Sequence, residues 1–259
     1  MLIPDAIVCG DNLEWLPLIA DESVDMCYID PPFFTNRDFI EFNDKFSSMN
    51  AYIEWMRPRV TLIHQKLKKT GSIFLHCDWH ASHRLRCLLD DVFGENRFVN
   101  EIIWFYKGAG VPKDRFSRRH DTIFWYARTK NWIFNLENVR TEYSQTTKER
   151  FKHYIGNKRN GHDFGIQALN PKGKHPDDVF EIPIIAPSAN ERLGYPTQKP
   201  EALIKRIIEC STNEGDVVLD CFAGSGTTAK VAADLKRRFI VGDISINAIS
   251  LTKQRLQAE

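Results

Sequence analysis

One stretch, Val217 to Thr228, constrains the fold of this chain more than any other. It reads Val-Val-Leu-Asp-Cys-Phe-Ala-Gly-Ser-Gly-Thr-Thr, a short apolar run followed by a glycine turn and the start of a helix. Glycines in such a turn let a ligand approach the backbone closely, and the first N–H groups of the helix favour negatively charged groups. The stretch therefore predicts an α/β fold with a nucleotide-type cofactor at the end of this strand.

Two kinds of cofactor site share that outline. Gly224, Gly226 and Ala229 fit the spacing of a dinucleotide site loosely, so a nicotinamide-dependent oxidoreductase stays open at this point. A P-loop is excluded because no lysine follows Gly226. Asp243 ends the next apolar run, and a carboxylate there suits the hydroxyls of a ribose in either cofactor.

A second strand end carries the sequence Tyr-Ile-Asp-Pro-Pro-Phe-Phe over residues 28–34. Both prolines lack a backbone N–H and push the preceding residue into extended geometry, so the chain leaves the strand as a stiff loop. The loop offers a carboxylate on Asp30, prolyl carbonyls without strand partners, and an aromatic face. This combination suits the exocyclic amino group of a planar base. A plain turn is the alternative, because Asp and Pro are both common in turns.

Apolar runs and amphipathic segments alternate along most of the chain, which predicts a parallel sheet with helices on both faces. The predicted strands cover 6–9, 24–29, 72–77, 98–106, 121–127, 132–134, 216–220 and 238–242, and the predicted helices cover 12–19, 49–68, 79–93, 200–210, 226–235 and 245–256. Regular periodicity fails over 135–195. A structureless loop of that length is improbable in a compact domain, so we expect a small insert between residues 1–134 and 196–259.

Charge is distributed unevenly along the chain. The formal net charge is only +1, yet residues 105–175 contain 15 Lys and Arg against 6 Asp and Glu. A block polarised to this degree is the electrostatic footprint expected for binding a phosphate backbone.

Cysteine usage and hydropathy bear on the compartment. The 6 cysteines show no C-x-x-C pairing, which indicates buried thiols in a reducing compartment. No apolar run approaches the ~18 residues of a transmembrane helix, and the first residues lack the pattern of a signal peptide. We therefore expect a cytoplasmic protein, without a membrane partner.

The two strand ends together resemble a known family. Asp30-Pro31-Pro32-Phe33 resembles the signature of DNA amino-methyltransferases, and Asp220 with Phe222-x-Gly224-x-Gly226 resembles the S-adenosylmethionine motif of class I methyltransferases. The cofactor motif comes last in the chain, an order similar to the permuted β group, whose members belong to restriction-modification systems or act as solitary enzymes. Further matches cover Gly10-Asp11, Ser23 to Asp25, Gly71 to Asp78, Phe93-Gly94, Glu101 to Trp104, Asn190 to Pro200 and 219–245.

The resemblance implies a Rossmann-like class I sheet with permuted motif order and a small target-recognition insert. It implies S-adenosylmethionine as cofactor and a catalytic loop formed by Asp30, Pro31, Pro32 and Phe33. The implied cofactor contacts are Asp11, Asp30, Thr197, Lys199, Pro200, Asp220, Phe222, Gly224, Gly226, Thr227 and Asp243, with Asp11 near the adenine, Asp243 on the ribose and 197–200 at the methionine end. The implied DNA contacts are Arg37, Lys107, Arg115, Arg118 and Arg119.

The implied reaction is site-specific methylation of the N6 amino group of an adenine flipped out of duplex DNA. Asp at position 30 favours adenine over N4 of cytosine, because Ser is commoner there in the cytosine enzymes. No Pro-Cys dipeptide supplies the nucleophile that a C5-cytosine enzyme uses. A non-catalytic nucleic-acid-binding subunit and an RNA substrate stay open. A homodimer and a cognate restriction endonuclease are further partners that the resemblance suggests, and the nucleoid is the expected location.

A metal site is one more alternative, because residues 76–83 read His-Cys-Asp-Trp-His-Ala-Ser-His. Two of these residues fall on a predicted strand, while His80 and His83 fall three apart on the following helix, and no other ligand completes a site. We therefore predict no metal.

Overall fold

The computed structural model of the protein describes residues 1–38, 44–108, 110–152, 156–166 and 168–257. The chain forms two compact units, one of Met1–Phe134 with Asp178–Glu259 and one of Asn135–Asp177. The strands are β1 Ala6–Cys9, β2 Val24–Ile29, β3 Leu67–Cys77, β4 Phe98–Phe105, β5 His120–Ala127, β6 Gly156–Arg159, β7 His162–Ile166, β8 Val179–Glu181, β9 Val217–Asp220 and β10 Arg238–Asp243. The α-helices are α1 Asn12–Trp15, α2 Met49–Lys66, α3 Ser82–Phe93, α4 Gln145–Arg150, α5 Glu201–Ser211, α6 Thr227–Asp234 and α7 Ile246–Gln257. Within these ranges, no helix has both the length and the apolar character that crossing a membrane requires.

The first unit is built on an eight-stranded sheet with the order β1-β10-β9-β2-β3-β5-β4-β8. The expectation of a wholly parallel sheet is wrong, because β5 runs antiparallel to both β3 and β4. The connection from β4 to β5 contains no crossover helix, so the chain turns back directly and pairs in the opposite direction. The α/β class itself is confirmed.

Reversal of β5 restores the direction of β4, so β4 runs parallel to β3. The carboxyl ends of β1, β2, β3, β4, β9 and β10 therefore meet at one edge of the sheet. In open α/β sheets this is the edge where ligands bind. Both predicted functional strand ends, those of β2 and β9, lie at its centre, with Met26 paired to Val218 and Cys27 to Leu219.

Buried side chains of β2 point alternately to the two faces of the sheet. Cys27 and Ile29 join a core cluster with the apolar faces of α1, α2 and α3, whereas Met26 and Tyr28 are buried outside that cluster. Helices α5, α6 and α7 also lie outside it, and α6 packs against both α5 and α7. The sheet is thus covered on two faces, which leaves its carboxyl edge available for a site.

Several predicted boundaries differ from the structure. Residues 132–134 form no strand, and Trp132 and Phe134 are 41% and 40% exposed, so the apolar triplet is not a core segment. The helix predicted over 12–19 changes to a 3-10 turn at Leu16–Leu18, where Pro17 cannot donate a helical hydrogen bond. Helix α3 begins at Ser82 rather than at Trp79.

The separate unit is shorter than the insert expected over 135–195. It ends at Asp177, because β8 returns the chain to the main sheet by pairing in parallel with β4. The described part of this unit contains α4 and an antiparallel hairpin of β6 and β7. A bridge between Thr141 and Lys174 ties its two ends together. The region therefore has ordered structure of its own.

Candidate functional site

A pocket with a volume of about 260 Å³ opens at the carboxyl edge of the main sheet. Its walls are the segments that follow β1, β2, β9 and β10, together with the segment before α5. The predicted site residues that line it are Asp11, Asp30, Pro31, Pro32, Phe33, Thr197, Lys199, Asp220, Phe222, Gly224, Thr227 and Asp243. Pro200 and Gly226 do not line it: Pro200 precedes the first turn of α5, and a Cβ on Gly226 would lie 2.8 Å from Cα of Thr252.

Asp30 and Phe33 form one wall of this pocket. Phe33 packs on the ring of His76, with 5.5 Å between ring centroids. The Asp30 side chain is only 15% exposed. Its Oδ2 accepts a hydrogen bond from the Lys199 ammonium, while its Oδ1 is buried and has no hydrogen-bond partner in the described protein. Because a buried carboxylate oxygen without a donor is costly, Oδ1 marks a place for an external N–H group.

A buried carboxylate that the sequence analysis missed fixes the backbone just after this loop. Asp44 is 1% exposed and accepts hydrogen bonds from the N–H groups of Phe34, at 2.7 Å, and Thr35, at 2.9 Å. Phe34 has φ of 62°, in the left-handed region that non-glycine residues rarely adopt. The carboxylate therefore stabilises a strained turn. Nothing local in the sequence identifies it, because it lies ten residues after the first N–H group that it binds.

His76 packs against the ring of Phe33 and is completely buried. The Tyr28 hydroxyl lies 2.7 Å from its Nδ1, and Asp121 Oδ2 lies 3.2 Å from its Nε2. The neutral tautomer with the proton on Nε2 satisfies both contacts, with Tyr28 donating to Nδ1 and Nε2 donating to Asp121. These two contacts hold the His76 ring in place, and the ring supports Phe33 by packing against it. Across the part of the chain that the structure describes, no group of three or more His, Cys, Asp or Glu side chains is placed to hold a metal ion.

The glycine turn after β9 also lines the pocket. Asp220 is 2% exposed and accepts hydrogen bonds from the Phe222 N–H, at 2.9 Å, and from the Thr228 hydroxyl, at 2.6 Å. Burial raises the pKa of Asp220 to about 7, although both hydrogen bonds oppose the shift. Gly224 has φ of +50°. Its N–H donates to Oδ2 of Asp243 at 2.8 Å, so the end of β10 fixes the turn.

Asp243 also accepts a hydrogen bond from the N–H of Ser245, at 2.9 Å. Burial raises the pKa of its carboxyl group. Each oxygen of Asp243 therefore has one backbone donor and keeps a lone pair for a ligand hydroxyl. Ile244, the next residue, lines the pocket and is 64% exposed, which leaves an apolar surface beside the carboxylate.

Asp11 lines the pocket and is held by a residue of α2. It caps α1 by accepting from the N–H of Leu13 at 2.9 Å, and Arg59 donates to it at 3.0 Å. The Arg59 side chain is 3% exposed and lies over the ring of Trp55, 3.8 Å from its centroid. Arg59 and Trp55 both line the pocket. The sequence analysis missed both, because α2 shows only a general amphipathic pattern.

The predicted DNA contacts lie outside the pocket. Arg37 is exposed and follows the Asp30 to Phe33 loop, while Lys107, Arg115, Arg118 and Arg119 belong to the segment between β4 and β5. This segment emerges at the same carboxyl edge, since it begins where β4 ends. The Arg118 guanidinium lies 3.6 Å from the ring centroid of Trp79, an aromatic residue that is 48% exposed. Arg119 donates to the Gly110 carbonyl at 2.5 Å.

The raised pKa of Asp220 predicts how stability changes with pH. In the folded protein the Asp220 carboxyl group keeps its proton up to pH of about 7, whereas an ordinary aspartate carboxyl group, as in the unfolded chain, loses its proton near pH 3.8. The contribution of protonated Asp220 to the unfolding free energy is therefore complete below pH 3.8, and it is lost as the pH rises through about 7. We expect the unfolding free energy of the unliganded protein to fall across this interval by up to about 1.4 kcal/mol per pH unit from this group.

Denaturant unfolding between pH 5 and pH 8 measures this effect. Asp220→Asn should give a flatter dependence than the wild type. Asp234→Asn is the matched control, since Asp234 pairs with Lys230 on the outer side of α6 and its side chain is 37% exposed. Identical slopes for wild type and Asp220→Asn would contradict the prediction.

Comparison with known protein families gives one match over most of the chain. Residues 24–254 match the model of the N6/N4 methyltransferase family, described as DNA methylase. Type II methyltransferase M.BglII of Bacillus subtilis is 30% identical over 261 residues, which cover 96% of this chain and 68% of the relative. DNA adenine methyltransferase YhdJ of Escherichia coli (strain K12) is 31% identical over 252 residues, which cover 96% of this chain and 82% of the relative.

Comparison with solved structures agrees on the fold. The PvuII DNA methyltransferase, described as cytosine-N4-specific, superposes with a TM-score of 0.70 at 19% identity. The match covers 96% of this chain and 85% of that one. At this level of identity the similarity establishes the fold of the chain.

Proposed function

Because the chain belongs to the N6/N4 DNA methylase family, we propose that it transfers a methyl group from S-adenosylmethionine to the N6 amino group of adenine in duplex DNA. One observation carries this proposal: the Asp30 to Phe33 loop and the glycine turn after Asp220 line a single pocket. The Asp30 carboxylate, which would accept from the target amino group, and the glycine turn, which would bind the cofactor, therefore line the same pocket.

The pocket residues fit this cofactor by charge and by their hydrogen-bonding groups. S-adenosylmethionine has a positive sulfonium and a positive ammonium, and the carboxylates of Asp11, Asp30 and Asp243 line the pocket. In our proposal Asp243 accepts hydrogen bonds from the ribose hydroxyls, Asp11 lies near the adenine, and the segment with Thr197 lies at the methionine end. When bound, the cofactor supplies a methyl group already activated on sulfur, so the reaction requires no covalent nucleophile.

The catalytic wall would prepare the weak nucleophile. The amine of adenine is a poor nucleophile because its lone pair is delocalised into the ring. Asp30 and the Pro31 carbonyl, by accepting the two amino hydrogens, would favour a tetrahedral nitrogen with its lone pair directed at the methyl group. Phe33 would stack on the base. The nitrogen–carbon bond forms as the carbon–sulfur bond breaks, the electron pair stays on sulfur, and the extra proton on nitrogen passes to water.

The base must leave the duplex to reach this pocket. Flipping costs a few kcal/mol, which contacts to the DNA backbone must offset. Arg37 and the basic segment with Lys107, Arg115, Arg118 and Arg119 are our proposed contacts, because they are positively charged and lie near the pocket mouth or at the same sheet edge. The unit Asn135–Asp177 is proposed to recognise the target sequence.

The assignment of adenine rather than cytosine as the target base rests on one residue, Asp30. Asp at position 30 is the more frequent choice in adenine enzymes, while N4 of cytosine is the alternative, whose amine the same pocket chemistry would serve. We further propose that the protein acts on DNA in the cytoplasm, at the nucleoid. A homodimer and a cognate restriction endonuclease stay predictions.

Identifying the methylated nucleoside tests the proposal directly. The purified protein is incubated with methyl-labelled S-adenosylmethionine and unmethylated duplex DNA, and the digested DNA is analysed by mass spectrometry. We expect labelled N6-methyladenine. Labelled N4-methylcytosine would overturn the base assignment and keep the mechanism, whereas binding of the cofactor without any labelled nucleoside would favour an RNA substrate or a non-catalytic subunit.

A further inference from the structure

Lys199 contacts the catalytic carboxylate rather than only the cofactor side of the pocket. Its ammonium donates to Asp30 Oδ2 and, at 3.3 Å, to the carbonyl of Thr197. The side chains of the ion pair are 12% and 15% exposed. We propose that Lys199 is a positioning residue for methyl transfer: it holds one oxygen of Asp30 and leaves Oδ1 as the acceptor for the target amine. This inference rests on the proposed function.

The two oxygens of Asp30 differ in their surroundings, and this difference supports the assignment. Oδ2 has the ammonium as its donor, whereas Oδ1 is buried without one. Nδ1 of His76 lies 3.8 Å from Oδ1, but in the neutral tautomer with the proton on Nε2 this nitrogen accepts from the Tyr28 hydroxyl at 2.7 Å and has no proton to donate. The ion pair to Lys199 fixes the orientation of the carboxylate, so one oxygen is held by the ammonium and the other faces the incoming amine.

The charges around the pocket explain why a cation is needed at this position. Asp220 and Asp243 line the same pocket, and the negative charge of Asp30 contributes to the raised pKa of Asp220. Arg59, the other cation of the pocket lining, is bound to Asp11. Lys199 is therefore the cation that offsets the charge of Asp30. Without it, the negative charge of Asp30 would lie in the same pocket as the acidic groups of Asp220 and Asp243 with no cation to offset it.

Lys199 also lies beside the proposed stacking surface. Its Nζ is 5.3 Å from the ring centroid of Phe33, so the ammonium borders the face on which a base would stack. A lysine ammonium has three donors, and two are used by Asp30 and Thr197. The side chain thus joins the segment before α5 to the catalytic loop after β2, which lie 169 residues apart in sequence.

Lys199→Met separates this role from cofactor binding. We expect the single-turnover rate at saturating cofactor and DNA to fall roughly 100-fold, because small displacements of a reacting group cost about this much. The dissociation constant of S-adenosylmethionine, measured by calorimetry, should change by less than about threefold. Lys199→Arg keeps the positive charge and should recover part of the rate. Lys205→Met is the control, since Lys205 lies on the exposed side of α5, 3.9 Å from Glu209.

A double-mutant cycle then tests whether Lys199 acts through Asp30. Asp30→Asn with Lys199→Met should be no slower than Asp30→Asn alone, because the carboxylate that Lys199 positions is already absent. Independent, multiplying losses would overturn the proposal. So would weaker cofactor binding with an unchanged saturated rate, which would make Lys199 a ligand of the methionine carboxylate. A wild-type rate for Asp30→Asn would instead refute the catalytic role of Asp30 in the proposed function.

Discussion

Replacing Asp30 with asparagine is expected to reduce the single-turnover rate of methyl transfer by at least about 1,000-fold, with S-adenosylmethionine binding largely retained. The amide keeps the size of the side chain and one oxygen, but it loses the negative charge that favours the amine in its reactive geometry. It also introduces an N–H₂ group where Lys199 now donates, so the amide cannot keep both contacts of the carboxylate. Rapid-quench measurement of labelled DNA gives the rate, and calorimetry gives the cofactor affinity.

Asp38→Asn provides the control for this variant. Asp38 lies, like Asp30, in the connection between β2 and α2. Its side chain is 86% exposed, and it pairs with Lys45 at the surface. We expect nearly wild-type rates for it, because an exposed ion pair contributes little. If Asp30→Asn lost cofactor binding and melting temperature as severely as activity, Asp30 would support the fold instead of the reaction.

Replacing Asp243 with alanine is expected to weaken S-adenosylmethionine binding about 100-fold or more. Two effects combine in this variant. The ligand loses a charged acceptor for its ribose, and hydrogen bonds to charged groups contribute roughly 1.5–3 kcal/mol each. The glycine turn loses the contact between Oδ2 of Asp243 and the N–H of Gly224, which is 2.8 Å long. The turn should therefore be less well formed before the cofactor arrives.

Asp243→Asn separates these two effects. The amide oxygen can still accept from one backbone N–H, so this variant should recover most of the stability that the alanine variant loses. The amide nitrogen cannot accept a hydrogen bond, so one of the two proposed contacts to the ribose hydroxyls stays impaired. Affinity is measured by calorimetry and stability by thermal unfolding of the unliganded protein. An alanine variant that binds the cofactor as tightly as the wild type would remove Asp243 from the binding site.

The strand ends that matter for function could be predicted from the sequence, and the pairing of strands could not. Asp30 and Asp220 each follow an apolar run, and such runs place their last residues at one edge of a parallel sheet. The direction of β5 depends on hydrogen bonds to β3 and β4, which its own sequence does not encode. The apolar triplet Trp132 to Phe134 is wrongly predicted as a strand, because period and composition alone do not distinguish a core strand from a partly exposed loop.

The same distinction applies within the pocket. Its motif residues were found because they are adjacent to one another in sequence. Asp44, His76 and Arg59 were missed as site residues because each acts on a partner far along the chain, such as Asp11 for Arg59, 48 residues away. For Arg59, the signal in the sequence is an arginine among the apolar positions of an amphipathic helix, and that pattern has many structural explanations. Contacts of this kind become visible only when the tertiary structure is known.

The pairing of β2 with β9 at the centre of the sheet has a consequence for synthesis of the protein. Asp25 of β2 accepts a hydrogen bond from the N–H of Val217, a residue 192 positions later. At about 5–20 residues per second, the ribosome needs roughly 10–40 seconds to synthesise the chain from β2 to β9, and during this time one edge of the apolar strand β2 has no partner. During this interval the nascent chain has the Asp30 to Phe33 loop but no glycine turn, so the pocket that the two segments line is incomplete. It is also the period in which the exposed edge is most open to aggregation, and chaperone protection would matter most then.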